Sequence, residues 1–128
     1  MKIALITGAS QGIGAAIADK LNNKKIKVIL VSRSKDKLKK FQMNLKFPEN
    51  SLIISKDLRS LSVCNSLAKK IKKLDYLINV AGATKGGKFL DLNDNIWEDG
   101  FNLKFKAAVR LSKAFWPALK RSKGKVIN

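Results

Sequence analysis

Histidine is absent from this sequence of 128 residues. That excludes histidine-bound zinc and histidine-based catalytic triads. Cysteine occurs once, as Cys64, so no internal disulfide can form. Tyrosine also occurs once, as Tyr76, and proline only as Pro48 and Pro117. No apolar stretch approaches the roughly 18–20 residues of a membrane-crossing helix. Acidic residues are scarce: 9 against 27 basic ones, for a net charge of +18. Arginine is scarcer still, at positions 33, 59, 110 and 121 alone. Base readout and forked phosphate contacts favour arginine. The lysines are instead spread over every segment, among them Lys24-Lys25, Lys39-Lys40, Lys69-Lys70, Lys72-Lys73 and Lys104. The charge therefore reads as a solvated lysine-rich surface that draws anions at long range, not as a nucleic-acid interface.

What is present fits one globular domain over residues 1–128. Apolar residues make up 45% and charged residues 28%, outside the range of disordered chains. The apolar start, Met1-Lys2-Ile3-Ala4-Leu5-Ile6, is too short for a signal sequence and runs at once into glycine. The chain is accordingly expected to be cytoplasmic.

Short apolar runs alternate with helical stripes, the pattern of strands and helices wound around a parallel sheet. Strands are expected at Lys2–Ile6, Lys27–Val31, Leu52–Ser55 and Tyr76–Val80, with a fifth opening at Lys125–Asn128. Lys27–Val31 is expected to be buried on both faces, and Tyr76 to be core. Helices are expected at Gly12–Asn22, with Ile13, Ile17 and Leu21 facing in and Asn22-Asn23 closing it; at Lys35–Lys46, with Leu38, Phe41 and Leu45 inward; and at Ser60–Lys73, with Cys64, Leu67, Ala68 and Ile71 inward. Pro48-Glu49-Asn50 punctuates and 81–89 reads as loop. A short helix near Asn93–Glu98 leads into a long one over about Phe101–Arg121, whose Ala108, Leu111, Phe115 and Leu119 repeat at three and four. Pro117 is expected to kink or weaken it. Right-handed crossovers then give the strand order 3-2-1-4-5, with ligand at the carboxyl ends beside the 1/4 switch point.

Thr7-Gly8-Ala9-Ser10-Gln11-Gly12-Ile13-Gly14 follows the first strand directly. Gly8 permits the tight turn, Gly12 lets backbone amides approach phosphates, and Gly14 lets helix and sheet pack closely. The following helix offers unpaired N–H groups and a positive dipole end to a dinucleotide pyrophosphate. Gly8, Ser10, Gln11, Gly12, Ile13 and Gly14 are thus candidate cofactor contacts. Four further features fall at matching places. Ser32-Arg33 ends the second strand, where an arginine suits a ribose 2′-phosphate through charge and forked hydrogen bonds, or simply starts a basic helix. Asp57-Leu58 follows the third strand, where the carboxylate either accepts from an adenine amino group or caps a helix. Asn79-Val80-Ala81-Gly82 follows the fourth. Ala81 and Gly82 leave room for ribose or nicotinamide, and Asn79 can tie strands together. Asn102, early in the long helix, either breaks it and aims a carbonyl or water at the site, or is an ordinary exposed asparagine.

Together these residues resemble the short-chain dehydrogenase/reductase family over essentially the whole chain. The glycine turn matches that family's T-G-x-x-x-G-x-G form, and Leu77-Ile78-Asn79-Val80-Ala81-Gly82 its N-N-A-G motif with Val80 for the second asparagine. Asn102 matches the family's catalytic asparagine, and Val31-Ser32-Arg33 is similar to members preferring NADP(H) over NAD(H). Gln11 departs from those members, which often carry a basic residue there. The resemblance implies a Rossmann-type doubly wound parallel sheet and hydride exchange between alcohol and ketone. It also places a catalytic serine after the fifth strand and a Tyr-x-x-x-Lys pair on the next helix. No such pair occurs here: the residue four past Tyr76 is Val80. The chain therefore reads as an incomplete dinucleotide-binding domain, cut after the start of its fifth strand, with Asn102 alone of the catalytic group and no turnover of its own. It is expected to form homo-oligomers through the long helix near 101–121 or the exposed sheet edge. A non-catalytic nucleotide-binding module and a basic nucleic-acid-binding protein are the alternatives.

Overall fold

A computed structural model describes residues 1–82 and 86–128; the centre of the expected 81–89 loop falls outside them. Five strands, β1 (Ile3–Thr7), β2 (Lys27–Ser32), β3 (Ser51–Ser55), β4 (Tyr76–Ile78) and β5 (Lys125–Ile127), form one sheet in the order β3-β2-β1-β4-β5. All four pairings are parallel. Leu5 in β1 sits opposite Ile29 in β2 and Leu77 in β4, so the centre of the sheet is apolar on every strand. Val28 to Val31 are all buried, which is why β2 reads as an unbroken Val-Ile-Leu-Val.

Alternate residues of the strands feed two cores. Ala4, Ile6, Val28 and Leu30 meet α1 (Gly12–Asn23) and α2 (Lys35–Met43) through Ala18 and Leu38. On the other face Leu5, Ile29 and Leu77 meet α3 (Leu61–Lys70) and α5 (Ala107–Ser122) through Leu67, Leu111 and Phe115. Helices thus cover both faces, as a doubly wound parallel sheet requires. The short α4 (Asp94–Phe101) precedes α5.

Several elements differ from expectation, each for a local reason. On α1 the buried positions are Gly14, Ala18 and Asn22, while Ile13 is 71% exposed. Small side chains let α1 press on the sheet, and Ile17 and Leu21 pack only at the margin of the core. Asn22 does more than close the helix: its buried amide donates to Phe47 O and accepts from Phe47 N, both at 2.9 Å. α2 ends at Met43 because Asn44 closes it, its N–H bonding back to Phe41 and Gln42 carbonyls. α3 stops at Lys70, where Ile71 turns extended. Tyr76 packs against the core from its margin, half-buried, with its hydroxyl accepting from Lys2 Nζ at 3.1 Å. β4 ends at Ile78, and past Asn79 the amides of Val80 and Ala81 are claimed by a side chain of β1.

The long helix is three pieces. Residues Asn102–Lys106 form a π-helical turn between α4 and α5, and its wider bonding step runs from Ala107 N to Asn102 O. The inward row on α5 is Ala107, Leu111, Phe115 and Leu119, with Ala108 only partly buried. Pro117 removes one helical donor, yet α5 continues to Ser122.

Candidate functional site

At the carboxyl ends of β1 and β4 the sheet opens into a groove of about 350 Å³. The sequence explains its shape from the glycine turn upward. Gly8 and Gly12 have φ of +64° and +57°, in the left-handed region that disfavours side chains. At Gly8 a Cβ would stand 3.0 Å from backbone atoms of Ala81, so the turn and the end of β4 are in contact. At Gly14 a Cβ would meet Gly8 O at 2.2 Å. α1 therefore starts against the turn itself. At Gly12 a Cβ would meet nothing within 4 Å, because that position faces open space. Gln11 is extended and makes no side-chain cap to α1. The first amides of α1 are thus unclaimed by a capping side chain and lie at the groove, the arrangement that binds a phosphate.

Thr7 holds the two walls together. Its hydroxyl, 1% exposed, accepts from Val80 N and Ala81 N, each at 2.9 Å. Those two amides would otherwise have continued the β4 ladder. The sequence reading missed this residue, although Thr7 opens the motif; its partners lie 73 and 74 positions away.

The structure gathers most of the expected residues and leaves four aside. Gly8, Ser10, Gln11, Gly12 and Ile13 line the groove on one side; Ser32, Arg33, Leu58, Ala81 and Gly82 complete it. Gly14 lies beneath, spent on packing. Asn79 ties strands: its N–H donates to Ile127 O at 2.8 Å and its amide to Asn128 Oδ1 at 2.8 Å, while its own Oδ1 is buried without a partner among the described residues. Asp57 neither lines the groove nor caps α3, whose N-cap is Ser60. Its carboxylate is forked by Arg59, with Nε and Nη2 at 3.0 Å, and accepts from Arg59 N at 3.0 Å. These hydrogen bonds hold the Asp57 carboxyl below the usual aspartate range against partial desolvation, with Arg33 adding a smaller pull in the same direction. The same guanidinium reaches Asp99 Oδ1 on α4 at 2.6 Å, and Arg110 donates to Arg59 O at 3.0 Å. Asn102 begins the π-helical turn, half-buried, with its carbonyl accepting from Ala107 N; its neighbour Leu103 lines the groove instead.

Lys56 and the backbone walls at Val31 and Val80 were not anticipated as lining residues. Lys56 stands beside Asp57, and its N–H donates to Ser32 O at 3.0 Å, which carries β3 alongside β2 up to the groove. Near Arg33 polar groups are dense. Ser32 Oγ donates to Ser10 Oγ at 3.1 Å, and Ser55 Oγ to Arg33 O at 2.7 Å.

Cys64 is fully buried on α3, and burial raises its thiol pKa, so it is a packing residue and not a nucleophile. Among the described residues no cluster of three or more acidic or cysteine side chains could hold a metal. Among the described residues no helix is long and apolar enough to cross a membrane.

Residues 2–128 match the family model for short chain dehydrogenases. An uncharacterized oxidoreductase of Staphylococcus epidermidis is 31% identical over 99% of this chain and 56% of its own length. Among solved structures, a short chain dehydrogenase from Bacillus anthracis superposes with a TM-score of 0.91 at 27% identity, over 99% of this chain and 56% of that one. An alcohol dehydrogenase from the archaeon Thermococcus sibiricus, complexed with 5-hydroxy-NADP, gives 0.89 at 28% identity, over 98% and 56%. The chain spans little more than half the length of these relatives. Fold, glycine turn and family match agree: the chain belongs to the short-chain dehydrogenase/reductase family of oxidoreductases, whose members use nicotinamide dinucleotides.

Proposed function

We propose that residues 1–128 form one dinucleotide-binding domain that holds NADP(H) for hydride exchange between an alcohol and a ketone. The observation that carries this reading is the groove, where open space at Gly12 and uncapped amides of α1 stand within one cleft with Ser10, Ser32 and Arg33. Gly8, Ser10, Gly12 and Ile13 would cradle the pyrophosphate, with Gly14 setting the helix behind them and Gln11 a further cofactor contact. Ser32 and Arg33 would take the 2′-phosphate, through hydroxyl donors and a fixed guanidinium fork. Leu58 walls the adenine, and Asp57 acts beside it through its loop, since its carboxylate is already paired. Ala81 and Gly82 make room for ribose and nicotinamide, supported from behind by Asn79. The nicotinamide, when bound, gives or takes the hydride. Asn102, at the start of the π-helical turn, would take the catalytic place that its match to the family's asparagine implies. The bound 5-hydroxy-NADP of the Thermococcus enzyme supports the choice of cofactor.

Titration of the purified chain should show tighter binding of NADPH than of NADH, and Arg33→Asp should reverse the order. Equal affinities would remove the NADP assignment. The sequence contains no Tyr-x-x-x-Lys pair, so proton transfer at the carbonyl has no donor among these residues. We therefore read these residues as binding the cofactor without turnover by themselves; steady NADPH oxidation with a panel of ketones would refute that.

An exposed apolar row, Trp97, Phe101, Phe105, Val109 and Trp116, follows α4 and α5. It supports self-association through the long helix, to be checked by sedimentation against concentration.

A further inference from the structure

Three cations from three different elements converge on the end of the groove where Ser10 and Ser32 meet. Arg33 stands at the end of β2 and Lys56 at the end of β3, both on the groove wall. Lys37 belongs to α2, and its Nζ donates to Oε1 of Gln11 at 3.5 Å, across 26 positions of sequence. Gln11 itself lines the groove. Because the ammonium claims the amide oxygen, the two N–H donors of Gln11 are left for the groove. Ser32 donates to the Ser10 hydroxyl, which leaves the Ser10 proton free to donate as well.

Among the described residues none of these cations is neutralised by an ion pair. Among the described residues both ion pairs are made by Arg59, which takes Asp57, a carboxylate close enough to feel Arg33. Helix stability does not account for Lys37 either. A cation in the first turn of a helix is opposed by the dipole, and the capping of α2 is done by Ser34. Like charges gathered around hydroxyl and amide donors are relieved by an anion. A ribose 2′-phosphate, carrying nearly two negative charges and three acceptor oxygens, is the anion that a bound dinucleotide brings to this end.

We propose that Lys37, with Lys56 on the groove wall, completes the 2′-phosphate site with Arg33. Lys37 acts there both as a charge and by fixing the Gln11 amide with its donors toward the phosphate. It is a specificity-determining residue in a position that pairs it with the glycine turn, not with its own strand end. This inference rests on the nucleotide-binding reading above.

The test is calorimetric titration of the full chain with 2′,5′-ADP and with 5′-ADP. For the unaltered protein, 2′,5′-ADP should bind more tightly. Lys37→Ala should weaken 2′,5′-ADP by about fivefold, the scale of an exposed charge contact, and leave 5′-ADP within about twofold. Lys37→Arg should retain the discrimination, and the salt dependence of 2′,5′-ADP binding should become shallower in Lys37→Ala. Lys113→Ala, on α5, serves as the control for loss of net charge. An unchanged ratio of the two affinities in Lys37→Ala would overturn the assignment, as would an equal loss in Lys113→Ala. Binding of neither nucleotide by the unaltered chain would overturn this inference and the nucleotide reading together. Because Lys37 is exposed on α2, its replacement does not touch the core.

Discussion

Gly12 and Gly14 stand two positions apart in one turn and answer to different constraints. Gly12 has a left-handed φ and empty space beside it; Gly14 has an ordinary φ and a carbonyl 2.2 Å from where a Cβ would be. Gly12→Ala should therefore cost about 1 kcal/mol of stability through backbone strain alone. Gly14→Ala should cost about 3 kcal/mol or more, because α1 must move off the turn. Urea denaturation of the two variants checks the order; a smaller loss in Gly14→Ala would contradict the packing account. Much of the site was legible at this scale. Glycines announce a turn, and Ser32-Arg33 announces itself by following an apolar run. Thr7 and Lys37 were not legible, because each acts through a partner far along the chain, and periodicity carries no information about which distant amide a hydroxyl will reach.

Arg59 joins three elements. It forks Asp57 in the loop after β3, reaches Asp99 on α4, and offers its carbonyl to Arg110 on α5. The carboxylate side chains are about half exposed, so the tie is screened by solvent. Arg59→Ala should lower global stability by at most about 1 kcal/mol. The local effect should be larger, seen as faster amide exchange in α4 and the π-helical turn. The Asp57 carboxyl titrates lower in the folded chain than in the unfolded one, chiefly through its hydrogen bonds to Arg59. Its contribution is therefore complete above the ordinary aspartate pKa and disappears as pH falls through the depressed folded value. Denaturation across that acid range should show a shallower loss in Arg59→Ala than in the parent. The strands and helices were legible to within a few residues because alternating apolar runs and stripes dictate them. What the pattern missed was decided by side chains. Thr7 shortened β4, small residues on α1 turned Ile13 outward, and the extra residue of the π-helical turn set Ala107, not Ala108, in the inward row.

A net charge of +18 acts on the whole molecule with two opposite consequences. Self-repulsion among lysines destabilises the compact state, so added salt should raise the thermal midpoint by screening it. The same salt should weaken NADPH binding, because the cationic end of the groove loses its long-range pull. Melting curves and titrations at roughly 20 and 200 mM salt should move in opposite directions. A midpoint that falls with salt would mean that the Arg59 ion pairs, not lysine repulsion, dominate the electrostatics. The strand order followed from right-handed crossovers between parallel strands, which is why the architecture was readable although the partners of individual polar atoms were not.

The Thr7 hydroxyl makes the mouth of the sheet a fixed aperture. Spreading the first turn from the end of β4 would strip two buried amides of their acceptor in a single motion. A visiting nucleotide would thus meet a slot cut to width in advance.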